Sequence, residues 1–244
     1  MERPKQFLDA AFALAGVAGA RDVAAEAAVQ VLERDLGSPL PACFRELLVN
    51  GGWPALLHRH SNSDWPVPID ELRTSASDGL LVFMHENQNV CHWAIPLAGP
   101  SDPPVLVAAE DGREQGWCRC ADRLSEWVMC QIADHQLVEA ARFAGNLEAL
   151  SEVWLQKLRE NFELGTATYR WPGDRNLRFS SPMGRVLLWD TPDQCDWFIA
   201  PTSQSAALLD LLPLRHGFDG SLYALDERYQ TELSDWLASR RLDP

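Results

Sequence analysis

The residue types best suited to metal binding in this chain are its cysteines and histidines. Cys118 and Cys120 form a Cys-x-Cys pair, and Cys130 follows further along the chain. A structural zinc site usually has two such pairs, each spaced by roughly two to four residues, whereas this chain has one. His58-x-His60 lies in a polar stretch, where the imidazoles are more often solvated. The spacing therefore predicts no bound metal and no cofactor.

Catalytic patterns can be tested in the same way. His85-Glu86 opens a His-Glu-x-x-His pattern, but Asn89 stands where the second histidine is required. Asp190, Asp193 and Asp196 surround a predicted turn, and calcium would need more oxygen ligands in a defined loop. The chain has neither a Gly-x-Ser-x-Gly elbow nor a Gly-x-x-x-x-Gly-Lys phosphate loop. The sequence therefore predicts a protein that is not an enzyme.

The charge of the chain restricts its partners. Its 244 residues include 35 acidic and 21 basic side chains, a formal net charge of −14 at pH 7. Binding to nucleic acid or to an anionic membrane needs clustered lysine and arginine, so both are disfavoured. An acidic chain favours solubility and a basic protein partner. Ten tryptophans supply candidates for binding anchors as well as for the core.

The elements that would position these residues follow from the periodicity of apolar side chains. Residues 22–36 and 40–49 read as amphipathic helices, the first ended by Gly37. Two apolar runs around a polar turn read as a hairpin, and one more strand follows. We expect these strands at 80–84, 90–96 and 105–108, and helices at 69–75, 124–132 (capped by Asp122), 135–144 and 147–162.

A series of short motifs runs in order from about Val23 to Ile132. The motifs are Leu36-Gly37, Leu40-Pro41, Phe44, Leu47-Leu48, Asn50-Gly51-Gly52, Leu81-Val82-Phe83, Glu86-Asn87-Gln88, Trp93-Ala94-Ile95, Pro103-Pro104-Val105 and Leu124-Ser125-Glu126-Trp127. This ordered series resembles the SUKH superfamily, the Smi/Knr-type domain.

This resemblance implies an α/β (α+β) fold, with a mixed, largely antiparallel sheet flanked by helices. It also implies a function in protein–protein binding. Many bacterial members of the family are immunity proteins that neutralise a toxin, and eukaryotic members resemble regulatory scaffolds. The resemblance carries over no catalytic residues, and its motif positions look like packing and turn positions.

The N-terminal segment allows two interpretations. Arg3 and Lys5 precede an apolar stretch over residues 7–20, a weak imitation of a signal peptide. Asp9 interrupts that stretch, and helical periodicity continues beyond it, so a surface helix and a cytoplasmic location are favoured. This helix could pack within its own chain or against a second one. The expected organisation is a helix at 1–21, a SUKH-like domain at 22–145 and an α/β extension at 146–244.

The C-terminal extension has a hairpin that resembles the earlier one. Cys195, Trp197 and Ile199 repeat the Cys-x-Trp-x-Ile spacing of residues 91–95, with all three side chains on one strand face. A degenerate second copy of the sheet unit would explain this, and so would two half-buried hairpins that reached the pattern independently. Helices are expected at 203–212 and 227–242.

The preferred hypothesis is an immunity protein that binds a cognate toxin with a basic surface. The alternatives are a regulatory or scaffold module with an endogenous partner, and an enzyme of unrecognised type. Binding residues concentrate in loops, where acidic and aromatic side chains would meet a basic partner. The predicted partner-binding residues are Trp53, Asp64, Trp65, Glu86, Glu110, Asp111 and Glu114.

Overall fold

The computed structural model describes residues 2–16, 21–50, 53–109, 116–147, 149–202, 205–211 and 222–240. The described residues form a mixed α/β fold with two antiparallel sheets. They divide into two compact units between His135 and Gln136. The sequence had placed this boundary between residues 145 and 146, and had separated the N-terminal helix, which belongs to the first unit.

The first unit contains one sheet and the helices before and after it. The sheet order is β1-β3-β4-β5-β6, all antiparallel, and β2 also pairs with β3. Its helices are α1 (Glu2–Leu14), α2 (Val23–Leu36), α3 (Ala42–Val49), α4 (Trp53–Arg59) and the start of α5 (Leu124–Ala140). Its strands are β1 (Trp65–Pro66), β2 (Ala76–Ser77), β3 (Leu80–His85), β4 (Cys91–Pro96), β5 (Val105–Ala109) and β6 (Cys118–Ala121).

Polar side chains begin two of these helices. Asp22 caps α2, because one of its carboxylate oxygens accepts the backbone N–H groups of residues 24 and 25. The cap of α5 is Asp102, which accepts both the backbone N–H and the hydroxyl of Ser125. The expectation that Asp122 caps this helix is wrong, since its exposed carboxylate pairs with Arg119. A cap can come from a distant loop, which local sequence does not reveal.

Aromatic side chains form the centre of the first core. The Trp127 ring of α5 lies 5.2 Å from Phe83 and 5.8 Å from Trp93, and Phe44 of α3 lies 5.7 Å from Phe83. All four side chains are at most 2% exposed. These contacts place α3 and α5 on one face of the sheet. Truncation of any one of these rings to alanine should destabilise the fold by about 3–5 kcal/mol.

The N-terminal helix packs within its own unit. Leu8, Ala11 and Phe12 of α1 are buried, and α1 contacts α3. This placement selects the packing of the helix within its own chain over packing against a second one. Residues 17–20, the end of the helix expected from the sequence, lie outside the described residues.

The second unit has its own sheet and core. The sheet order is β13-β7-β12-β11-β10-β8, with β9 also pairing with β10. Its helices are α6 (Glu152–Asn161), α7 (Ser205–Leu211) and α8 (Glu227–Arg240). Its strands are β7 (Phe143–Leu147), β8 (Glu163–Leu164), β9 (Thr168–Tyr169), β10 (Arg175–Ser181), β11 (Gly184–Asp190), β12 (Cys195–Pro201) and β13 (Leu222–Ala224).

Several elements differ from the expectation. The two helices expected at 124–132 and 135–144 are one helix, α5, which ends at Ala140. Residues 143–147 form the strand β7, because pairing with β12 on one side and β13 on the other outweighs the weak strand propensity of Ala144, Gly145 and Asn146. Residues 69–75 form turns and no helix. The hairpins at β3–β4 and β11–β12 are confirmed.

The two hairpins bury the residues of the repeated Cys-x-Trp-x-Ile pattern in the same way, but their second strands pair with different neighbouring strands. Cys91, Trp93 and Ile95 are buried, and so are their counterparts on β12. The strand beside β4 is β5, which follows it in the chain, whereas the strand beside β12 is β7, which precedes the hairpin. In both sheets a preceding strand pairs with the first strand of the hairpin, β1 with β3 and β10 with β11, so the two sheet orders differ only beyond the second strand of the hairpin.

Within the described residues, each helix is too short or too polar to cross a bilayer.

Candidate functional site

Trp65 is the most exposed aromatic side chain among the described residues, at 58%. It lies on β1, at the edge of the first sheet, and its register partner on β3 is His85. Its indole contacts the imidazole of His58 on α4, with ring centroids 5.2 Å apart. A supported tryptophan that keeps most of its surface in solvent is typical of a binding anchor.

Two carboxylates behind Trp65 hold the neighbouring loop and turn. Asp64 is 5% exposed and accepts the backbone N–H of Asn87 at 3.1 Å. Glu86 is 6% exposed and accepts the N–H groups of Gln88 at 2.6 Å and Val90 at 3.4 Å. These carboxylates fix the β3–β4 turn against the loop that ends in Trp65. Both were predicted as contact residues, but their burial gives them a positioning role.

The environment of Asp64 changes its acidity. The pKa of Asp64 is raised to about 6, mainly by burial and to a smaller extent by the negative charge of Glu86, against the lowering effects of the Asn87 N–H and of His58. A carboxylate with these neighbours is less stable in its charged form than it would be in water. The loop before Trp65 is therefore held by a carboxylate whose charged form is destabilised.

The remaining predicted residues divide into two groups. The prediction that Trp53 lies in a binding loop is wrong, because it begins α4 and is 1% exposed, with its ring 6.0 Å from Phe44. The sequence signal was Pro54, which favours the first turn of a helix. Glu110, Asp111 and Glu114 lie outside the described residues.

The structure adds an edge segment that the sequence did not single out. Between β1 and β3 the chain exposes three carboxylates, those of Asp70, Glu71 and Asp78. None of them forms an ion pair with another described residue. Trp65 pairs with the His85 end of β3, and Asp78 lies beside its Leu80 end. The same segment contains the exposed Arg73, which pairs with Asp35. We call Trp65 and these three carboxylates the Trp65 edge.

A histidine pair also lies next to Trp65. His85 and His92 face each other across β3 and β4, with their Nδ1 atoms 2.7 Å apart and their ring centroids 4.7 Å apart. Burial, followed by the charge of His92, lowers the pKa of His85. The signal in the sequence was positional: a hairpin centred on residues 86–91 pairs these two histidines.

The metal motifs considered from the sequence do not converge. His58 makes a hydrogen bond through Nδ1 to the carbonyl of Asp64, whereas the buried His60 packs its ring 5.3 Å from that of His135. No cluster of three or more histidine, cysteine or acidic side chains in the described part of the chain is arranged around a metal position.

The acidic cluster of the second unit is also divided. Asp190 is buried and accepts two hydrogen bonds from Arg175, at 2.7 and 2.6 Å. Asp193 is exposed in the turn, and Asp196 lies on β12, where burial raises its pKa. The three carboxylates therefore do not form one site.

The second unit also has an open cleft of about 480 Å³. It lies beside the end of α6, and Arg159, Glu160 and Glu163 contribute charges of both signs to its lining, together with the hydroxyls of Ser180 and Ser181. Mixed charges in an open cleft favour neither an anion nor a cation.

The chain matches no protein-family model, no curated protein and no solved structure. The residues of the ordered motif series found between Val23 and Ile132 lie at packing and turn positions of the first unit. Phe44, Leu47, Leu48 and Trp127 are fully buried, and Gly37 ends α2 with a φ of 68°.

Proposed function

We propose that this protein is a non-enzymatic binding protein of the SUKH type, and that it acts as a cytoplasmic immunity protein by binding a cognate toxin with a basic surface. The observation that carries the proposal is the exposed indole of Trp65, held in place by buried carboxylates. Exposed tryptophans supported by ordered neighbours are enriched among residues that dominate binding energy.

The charge around this anchor supports a basic partner. Asp70, Glu71 and Asp78 are exposed in the segment that joins β1 to β3, and the net charge of the chain is −14. Such charges raise the association rate for a basic protein, by attraction that salt screens over roughly 10 Å at 0.1 M. The Trp65 edge therefore replaces the buried members of the predicted contact set.

The enzyme alternative receives less support. The two carboxylates brought together near Trp65, Asp64 and Glu86, are both committed to backbone N–H groups of the β3–β4 turn. A general acid or base must reach a substrate, and these side chains are buried. Their arrangement supports a structural role beside a binding surface.

Co-expression with the product of the neighbouring gene tests the proposal. We expect the chain to protect cells from that product and to form a one-to-one complex with it. The change Trp65→Ala should weaken the complex by about 2 kcal/mol or more, a 30-fold loss of affinity measured by calorimetry. Tyr223→Ala, at an aromatic side chain that is 53% exposed on β13 of the second unit, is the control.

The charge contribution is tested separately. The double change Asp70→Lys/Glu71→Lys should slow association and flatten its salt dependence, measured by stopped-flow mixing. Asp9→Lys/Asp122→Lys alters two exposed carboxylates by the same net charge away from the Trp65 edge. Equal effects of the two pairs would contradict the proposed surface. A complex without toxicity of the partner would instead favour the scaffold alternative.

A further inference from the structure

The histidine pair on β3 and β4 has a geometry that suits a metal ion. His85 and His92 are direct register partners, so their side chains leave the same face of the sheet. Both imidazoles are half-buried, which leaves them reachable from solvent. Their Nδ1 atoms lie 2.7 Å apart, with the ring planes inclined at 80°.

The two Nδ1 atoms are 2.7 Å apart because they share a hydrogen bond, so an ion bound to both must displace the shared hydrogen and turn the rings. Two nitrogens bound at about 2.0 Å to one ion lie about 2.8 Å apart when the angle at the metal is 90°, and about 3.3 Å apart when it is tetrahedral. Square-planar and tetragonal coordination are typical of Cu²⁺ and Ni²⁺, whereas zinc prefers the tetrahedral arrangement. A tetragonal ion therefore requires a smaller separation of the two rings than tetrahedral zinc does.

We propose that His85 and His92 form a two-imidazole site for a tetragonal divalent cation, Cu²⁺ in preference to Ni²⁺ and Zn²⁺. The ion replaces the hydrogen shared by the two Nδ1 atoms, and the ring that carried this hydrogen holds its proton on Nε2 instead.

Titration of the purified chain with CuCl₂, NiCl₂ and ZnCl₂ by calorimetry tests this site. We expect one Cu²⁺ per chain, with affinity in the order Cu²⁺, Ni²⁺, Zn²⁺. His85→Gln and His92→Gln should each lower the Cu²⁺ affinity about tenfold or more, because either change removes one of the two ligands. His58→Gln is the matched control, since its imidazole also lies beside Trp65 but outside the pair.

A spectroscopic measurement separates loss of the site from loss of the fold. Cu²⁺ held by the pair should show hyperfine coupling to two nitrogens in electron paramagnetic resonance, and should quench the fluorescence of wild type more than that of Trp65→Phe. Circular dichroism checks that each variant is folded. The proposal is overturned if wild type binds no Cu²⁺ at about 100 µM, if the double variant His85→Gln/His92→Gln binds it unchanged, or if Zn²⁺ binds more tightly. The metal titration needs no protein partner, so its outcome is independent of the proposed function.

Discussion

The buried carboxylate of Asp64 is expected to destabilise the folded chain at neutral pH. Its pKa is raised from 3.8 to about 6, mainly by burial. A raised pKa means that the folded state binds the proton more tightly than the unfolded state does. The stability contributed by the protonated group is therefore present below about pH 4 and is lost as the pH rises through about 6.

The magnitude follows from the size of the shift. At 1.36 kcal/mol per pKa unit, a change from 3.8 to about 6 corresponds to at most about 3 kcal/mol. The change Asp64→Asn removes the charge and keeps an oxygen that can accept the Asn87 N–H. The net shift already contains the effect of that N–H on the charged form, so its loss is not subtracted again. We expect a gain of about 2–3 kcal/mol at pH 7.5 and little or none at pH 4.

Urea unfolding at several pH values measures this difference. The free energy of unfolding of the variant should exceed that of wild type at pH 7.5, and the two should converge as the pH falls to 4. The matched control is Asp70→Asn, the same chemical change at an exposed carboxylate, which should alter stability by less than about 0.5 kcal/mol. A variant that is less stable than wild type at pH 7.5, or a difference that does not depend on pH, would refute the reasoning.

Three further changes each test one local interaction within a unit, and each is measured by thermal and urea unfolding. Gly184→Ala should destabilise by about 3 kcal/mol or more, because the new Cβ would lie 2.7 Å from the carbonyl oxygen of Ala200 and φ is 156°. Arg175→Met should cost about 2–3 kcal/mol, since it leaves the buried Asp190 without its cation, and a loss below 0.5 kcal/mol would contradict this. Gly37→Ala should cost about 1 kcal/mol and Gly37→Asn less, because only the left-handed φ of 68° opposes the alanine; equal losses would show that the strain lies elsewhere.

The sequence predicted the elements whose signals are local. The hairpins at residues 80–96 and 184–201 combine apolar runs with polar turns, and the α2 helix carries its own cap and stop residues. The strand β10 was missed because its pattern is broken by Asn176, which is buried yet polar. Its side chain is satisfied by the carbonyl of Trp171, the hydroxyl of Thr168 and the N–H of Gly173. These partners precede Asn176 by only three to eight residues, but the pattern of apolar residues does not show that the turn before β10 folds back onto the strand.

The sequence predicted which residue types surround the candidate site, but not which of these residues are exposed and which are buried. Acidic and aromatic residues in the loops around the first hairpin were expected to face the partner together, and only Trp65 among the described members is exposed. The sequence does not reveal which carboxylate caps a turn, because that depends on where the N–H groups of residues 87 and 88 point after β3 and β4 have paired. Exposure is a property of the assembled sheet edge.

This division of roles explains why buried acids stand behind an exposed aromatic ring. A binding anchor gains affinity when its conformation is fixed before the partner arrives, since less entropy is then lost on binding. Asp64 and Glu86 fix the backbone on both sides of the β1–β3 pairing, and the stability lost by burying the Asp64 charge is the cost of that fixed geometry. Asp64→Asn should therefore leave partner binding unchanged and stabilise the fold. Trp65→Ala should weaken partner binding and leave the fold unstabilised. Opposite effects of two adjacent residues on stability and on affinity would distinguish a positioning residue from a contact residue.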